Sequence, residues 1–115
     1  MLICSGKVAY DAIAERDRLS APIAILRVEQ LYPWPFEAVA AELDRFPNCN
    51  EIVWLQEEPE NMGAWDAVKG RLYEAQGQTH EIRRVSRFQS GSTACGSAKV
   101  HLQEQQELLE KALTL

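Results

Sequence analysis

The stretch from Glu51 to Trp65, Glu-Ile-Val-Trp-Leu-Gln-Glu-Glu-Pro-Glu-Asn-Met-Gly-Ala-Trp, constrains the fold of this chain most. Ile52 to Leu55 is an apolar run rich in β-branched and aromatic side chains. A run so short, bounded by polar residues, predicts a strand buried on both faces, since a half-exposed strand would alternate. Glu57, Glu58 and Pro59 are expected to stop it, because proline has no N–H to give to a sheet ladder. Asn61 offers an N-cap for a new helix, and Gly63 lets another backbone come close. Trp65, Val68 and Leu72 then recur at helical spacing and turn one apolar face back onto the sheet. Strand, acidic loop and helix make half of a βαβ unit, and function in such sheets usually sits in the loop just past the strand.

The same grammar repeats along the chain. Leu2 to Cys4 predicts a core strand that starts with no lead-in, as though cut from a longer chain. Ser5-Gly6-Lys7 forms the turn, with Ser5 as N-cap of a helix whose apolar side is Val8, Ala12, Ile13 and Leu19. Asp11, Glu15, Arg16 and Arg18 are expected to face water, and Ser20-Ala21-Pro22 breaks the helix. Ile23 to Val28 is the second strand, followed by the loop Glu29-Gln30-Leu31-Tyr32-Pro33-Trp34-Pro35. Its prolines stiffen the loop, and Pro35 suits a first helical position. Phe36, Val39, Leu43 and Phe46 predict an amphipathic helix ended by Pro47 and Asn48. Gly77 is expected to terminate the third helix. Glu81 to Phe88 suits an edge strand, where Arg83, Arg84 and Arg87 discourage pairing with other chains. Ser90 to Ser97 is a loop of small residues before a last helix, Lys99 to Leu113, carried by Leu102, Leu108, Leu109 and Leu113.

Four βα pairs in 115 residues predict one domain over 1–115, a three-layer α/β/α fold with a mainly parallel sheet. Right-handed crossovers leave few topologies, of which strand order 2-1-3-4 is favoured. With 12 basic against 17 acidic residues, the net charge of -5 argues against nucleic acid or an anionic membrane as partner. No apolar run approaches the ~20 residues of a membrane span, and the N-terminus lacks a signal-peptide pattern. Three widely spaced cysteines, Cys4, Cys49 and Cys95, offer no Cys-x-x-Cys pair and suit a reducing, cytoplasmic compartment.

Individual residues bear little chemistry. Gly91 to Ser97 mimics a phosphate loop but lacks the lysine after its second glycine, because Ser97 stands there and Lys99 comes too late. Close packing explains the loop better, although Ser97 at a helix start could hold an anion. Cys95 and His101 have no third catalytic partner, Cys4 reads as a buried small hydrophobe, and His80 and His101 lack metal-ligand spacing. Glu57 and Glu58 at a strand's carboxyl end suit acid–base work or a cation; equally, one caps a helix while the other is solvated. Trp54 belongs to the core. Tyr32, Trp34 and Trp65 suit an interface, with core packing as the alternative for each tryptophan.

Four motifs, Cys4-Ser-Gly-Lys-Val, Arg27-Val-Glu-Gln-Leu-Tyr-Pro, Gln56-Glu-Glu-Pro-Glu-Asn-Met-Gly-Ala-Trp65 and Gly96-Ser-Ala-Lys-Val-His101, occur in that order. Together they resemble the C-terminal domain of the thiamine-diphosphate-dependent decarboxylase component of 2-oxoglutarate dehydrogenase, over essentially the whole chain. The resemblance implies a transketolase C-terminal-domain-like fold. It also implies a domain without catalytic or metal-binding residues of its own, because thiamine diphosphate and magnesium sit between two preceding domains. The parent reaction is oxidative decarboxylation of 2-oxoglutarate with succinyl transfer to a lipoyl carrier. Implied partners are the preceding domains, a second subunit in a homodimer and the lipoyl-bearing succinyltransferase component. The implied location is the cytoplasm, or the mitochondrial matrix in a eukaryote. Some family members bind an acyl-CoA activator near the loop after the second strand, using a glutamine that matches Gln30 and arginines after the second proline. Here Phe36, Glu37 and Ala38 stand after Pro35, and an acidic residue facing a phosphate is unfavourable. A branch acting on 2-oxoadipate shares much of the domain. The alternative from another class is a regulatory module holding a small anion, acyl-CoA or nucleotide at the strand ends around Ser5, Gln30 and Glu57. Third comes a standalone enzyme built on Cys95 or Glu57.

Overall fold

The structure, a computed structural model, describes residues 1–87 and 98–114, with the backbone alone over 98–100. The expected small-residue loop, with Cys95 and Ser97, and Phe88 lie outside the described residues. The element order is β1 (Leu2–Cys4), α1 (Val8–Leu19), β2 (Ile25–Arg27), α2 (Phe36–Asp44), β3 (Glu51–Pro59), α3 (Trp65–Gln76), β4 (Glu81–Arg87) and α4 (Ala98–Leu113). All three strand pairings are parallel, and the order is β2-β1-β3-β4, as anticipated.

Alternation along the two central strands assigns their side chains to two layers. Leu2 and Cys4 of β1 with Val53 and Leu55 of β3 pack on Val8, Ala9 and Ala12 of α1 and on Leu108, Leu109, Ala112 and Leu113 of α4. Ile3, Ile52 and Trp54 point the other way, onto Val39 and Leu43 of α2 and Trp65, Val68 and Leu72 of α3. Both faces of β1 and β3 are therefore covered, which is why their sequence runs are apolar without a break. Burial pushes the Cys4 thiol up to about 12, so it remains a neutral packing group.

Several local expectations are corrected. β3 does not stop at Glu57 but runs through Pro59, because the β3–β4 register shifts between Leu55 and Pro59, a bulge at which proline's missing N–H is tolerated. β2 covers only Ile25–Arg27 of the anticipated Ile23 to Val28 and is half-buried at the sheet edge. Ser5 is not an N-cap: α1 starts after Lys7, with no side-chain cap. Asn61 likewise lies short of α3, whose N-cap is Ala64. α2 closes at Asp44, before Pro47, and its flanking Phe36 and Phe46 stay partly exposed. Gly77 does cap α3, in a right-handed conformation. Ile13 and Leu19 of α1 are solvent-facing, as is Leu102 of α4 at 70%. Glu15, expected in water, is buried because α4 lies over it: Arg18 pairs with its carboxylate and Gln106 Nε2 donates to it at 3.3 Å. At the far end of α4, the Arg83 guanidinium donates to the carbonyls of Lys111 and Thr114, 3.3 and 3.5 Å away. A cation there complements the negative end of the helix.

Candidate functional site

The carboxyl ends of the parallel strands converge on one edge, where α1 and α3 begin. Its organising residue is Gln56, 3% exposed on β3. The side-chain oxygen accepts from the indole Nε1 of Trp54 at 2.9 Å and the backbone N–H of Trp65 at 3.0 Å. Its amide nitrogen donates to the carbonyls of Pro59 at 2.9 Å and Met62 at 2.8 Å, with the Glu58 carbonyl at 3.2 Å. Every donor and lone pair of the amide is thereby used, and the partners fix which end is oxygen. Gln56 closes the loop from β3 to α3 and takes up one orphan N–H at the start of α3.

Gly63 completes that loop. Its φ is +70°, and a Cβ there would lie 2.8 Å from Glu58 Oε2 and 3.2 Å from Gln56 Nε2. The close neighbours are thus side chains rather than the expected backbone. Gly63→Ala should cost about 1–2 kcal/mol from left-handed strain plus crowding of Gln56, measurable by urea unfolding.

Glu57, the next residue, is not a free carboxylate. Lys7 Nζ lies 2.8 Å from its Oε1, and Gln105 Nε2 of α4 donates to the same oxygen at 3.1 Å. Gln105 also reaches Asp11 Oδ2 at 3.3 Å and accepts from Arg87 at 3.0 Å, so α1, β3, β4 and α4 are laced together here. The Glu57 hydrogen bond holds the Lys7 ammonium above its ordinary pKa. His101 Nδ1 stands 3.3 Å from the Arg87 guanidinium, an arrangement in which the ring nitrogen accepts. Among the described residues no group of His, Cys, Asp and Glu could hold a metal ion.

The α1 start has an acidic partner from within the chain. Gly6, at φ +82°, donates its N–H to Glu29 Oε1 at 3.2 Å, and Arg27 Nε holds the same oxygen at 2.6 Å. Arg27 in turn donates to the Tyr10 hydroxyl at 2.7 Å and lies 4.7 Å from that ring's centroid. The Gly6 N–H and then Arg27 hold the Glu29 carboxyl below its usual value; Arg18 and then Gln106 do the same for Glu15. A lowered folded pKa contributes stability that is present above the unfolded value, near 4.5 here, and is lost as pH falls through the folded one. Glu29→Gln should therefore flatten the acid limb of a stability–pH curve below that value while changing its alkaline limb little.

Beside this ion pair stands the loop after β2. Gln30 Nε2 donates to the Tyr32 carbonyl at 3.3 Å, the Tyr32–Pro33 peptide is cis, and the Phe36 N–H bonds back to the Trp34 carbonyl at 2.9 Å. Tyr32 is 83% exposed, whereas Trp34, at 5%, sits in the α2–α3 layer of the core. Trp65, also read as an interface candidate, joins the same layer. A depression of about 440 Å³ lies between β2, this loop and α2, walled by Leu26, Val28, Pro33, Trp34, Ala38 and Val39 with Arg27 and Glu29 at its rim. The structure thus brings Gln30, Tyr32 and Trp34 together in one loop and places Glu57 in a separate cluster with Lys7. Ser5 contributes no cap to either. Sequence reading missed Gln56 as the keystone and Glu29 as the helix-start carboxylate. No feature of the linear pattern marked Gln56 as buried, since a glutamine following an apolar run reads equally as a strand leaving the core.

Among the described residues no helix is long and apolar enough to cross a membrane. The chain matches the family described as 2-oxoglutarate dehydrogenase C-terminal over residues 1–113. The 2-oxoglutarate dehydrogenase E1 component of Cupriavidus necator is 43% identical over 113 residues, 97% of this chain and 12% of that protein. The E1 component of Coxiella burnetii is 36% identical over 118 residues, covering all of this chain and 13% of the relative. A multifunctional 2-oxoglutarate metabolism enzyme of a Mycobacterium species is 41% identical over 114 residues, 97% of this chain and 9% of its own length. The chain spans 12–13% of the length of the E1 relatives it matches. With a profile matched along nearly its whole length and relatives of this identity, the chain belongs to the 2-oxoglutarate dehydrogenase C-terminal family.

Proposed function

We propose that residues 1–115 are the non-catalytic C-terminal domain of a thiamine-diphosphate- and magnesium-dependent 2-oxoglutarate dehydrogenase component. In this reading the domain packs on preceding domains of the same enzyme and helps to hold a homodimer. The parent decarboxylates 2-oxoglutarate and passes the succinyl group to a lipoyl-bearing succinyltransferase, in the cytoplasm or, in a eukaryote, the mitochondrial matrix. The observation that carries the reading is the family match over residues 1–113. The site geometry supports it: Glu57 and Glu29, the carboxylates at the strand ends, are tied to Lys7 and Arg27, an arrangement that holds elements in place. The anion-binding alternative has less support, since Glu29 already takes the Gly6 N–H at the start of α1.

Two measurements test the proposal. The native polypeptide from source cells should have a subunit mass several times the 13.0 kDa of this chain. The chain alone, given thiamine diphosphate, magnesium and 2-oxoglutarate, should release no carbon dioxide above background. Turnover by the chain alone, or a native subunit of its own size, would overturn the reading.

A further inference from the structure

Of the two edge strands, β4 has seven residues against three in β2, so it is the one long enough to template another strand. Glu81 N–H donates to the Asn50 carbonyl at 2.9 Å, and the Arg87 carbonyl accepts from Glu60 N–H at 3.1 Å. Odd-numbered residues of β4 therefore turn their backbone to β3, and Ile82, Arg84 and Ser86 turn theirs outward. The Tyr73 hydroxyl of α3 reaches the Ile82 carbonyl at 3.5 Å, whereas among the described residues no strand covers the outward groups of Arg84 and Ser86. A cavity of about 680 Å³ follows this edge, lined by five consecutive residues, Arg83 to Arg87, as a cavity beside an open strand edge is. The arginines expected to guard the edge are engaged elsewhere. Arg83 is held by Glu51 and the last turn of α4, Arg84 by Glu60 at 2.6 Å, and Arg87 by Gln105 and Glu104 of α4. The far wall is α4, where the carboxylates of Glu107 and Glu110 each accept from a glutamine of their own helix at 3.3 Å. Among the described residues no cation pairs with either, so the lining sets two carboxylates against Lys111. On the α3 side, Tyr73 is 53% exposed.

We infer that the outer edge of β4 binds an extended basic segment of another polypeptide as a fifth strand. Hydrogen bonds to the backbone of Arg84 and Ser86 supply the affinity, and the two sides of the edge select alternate side chains of the segment. Side chains facing α4 meet Glu107 and Glu110 and are lysine or arginine. Those facing α3 lie against the Tyr73 ring and are apolar. An acidic segment is rejected, because its carboxylates would oppose Glu107 and Glu110. The net charge of -5 favours the encounter with a basic segment over the whole surface.

The test is titration of the ¹⁵N-labelled chain with a capped hexapeptide, Lys-Val-Lys-Val-Lys-Val, followed by amide resonances and hydrogen exchange. In the chain alone, the amides of Arg84 and Ser86 should exchange fast and those of Arg83 and Val85 slowly. The peptide should bind with Kd about 0.1 mM, slow the exchange of Arg84 and Ser86, and move their resonances downfield. The same peptide with glutamate for lysine should bind about tenfold or more weakly. Ser86→Pro removes one outward N–H and no bond to β3, and Glu107→Lys with Glu110→Lys reverses the wall; each should weaken binding about tenfold. Ser86→Ala keeps the N–H and should bind as the wild type does. Unchanged unfolding midpoints confirm that the variants are folded, and the charge reversal decides alone if Ser86→Pro is not. Slow exchange at Arg84 and Ser86 before any peptide is added overturns the inference, because the edge is then already covered. Binding weaker than ~1 mM, binding that leaves those two amides unmoved, or binding indifferent to the charge reversal overturns it as well. None of these results bears on the domain reading, which fails only on turnover by the chain alone or a native subunit of its size.

Discussion

Gln56→Leu should destabilise the chain by about 4 kcal/mol, because it strands two buried donors and two acceptors while preserving side-chain volume. The indole of Trp54 and the N–H of Trp65 lose their acceptor, and the carbonyls of Pro59 and Met62 lose their donor. Each stranded group costs about 1 kcal/mol or more, against a total stability on the order of 5–15 kcal/mol for a domain. At this chain length the corresponding fall in Tm is about 15 °C by calorimetry. Gln56→Glu separates the two halves of the network. The substituted carboxylate can still accept from Trp54 and Trp65, but it faces the Pro59 and Met62 carbonyls with no proton to offer. Its defect should therefore shrink as pH falls, because burial opposite two carbonyls raises the carboxyl's pKa and protonation restores a donor. A Gln56→Leu chain within about 1 kcal/mol of the wild type in urea titration would show that solvent or relaxation satisfies these groups instead.

Trp54→Ala is expected to cost about 4–5 kcal/mol. Trp54 is 1% exposed at the centre of β3, between Ile3 and Ile52 on the sheet and Val68 and Leu72 of α3. Truncation empties the middle of that layer, and a densely packed interior relaxes only partly into the space. It also removes one of the two donors to Gln56, so the double variant with Gln56→Leu should cost clearly less than the sum. Trp54→Phe keeps most of the apolar volume and loses the indole donor, for about 2 kcal/mol. Trp34 and Trp65 remain as fluorescence reporters in each variant. Additive costs in the double variant would mean that packing and the amide network act independently.

These two neighbours show how far a sequence can be read. Ile52 to Leu55 announced a strand covered on both sides, and the short Leu2 to Cys4 run announced its partner. The number of βα pairs and the handedness of their crossovers then left little choice of topology. Nothing in the pattern said that Gln56 would be buried, since a glutamine after an apolar run usually marks a strand leaving the core. Its burial depends on Trp65, nine positions later, returning over the strand end with an N–H to offer. Trp34 and Trp65 were ambiguous for the same reason: composition reports that an aromatic must be covered, and only packing reports by what. Local capping rules misled at Ser5 and Asn61, where the residue before each helix satisfies the backbone through turns or partners distant in sequence. For Glu29 that partner is Gly6, which lies 23 positions away.

By itself, then, the amino-acid sequence determined the alternation of four strands and four helices, the parallel sheet, the two-sided core and the family motifs. Those depend on side-chain period and short-range turn chemistry, which a linear pattern carries in full. The tertiary structure alone decided which carboxylates are paired, that β3 passes through Pro59 on a bulge, that α4 buries Glu15, and that Tyr32 rather than Trp34 meets solvent. Each of these depends on which distant segment arrives at a given surface, and a polar group is satisfied or stranded only once that neighbour is in place.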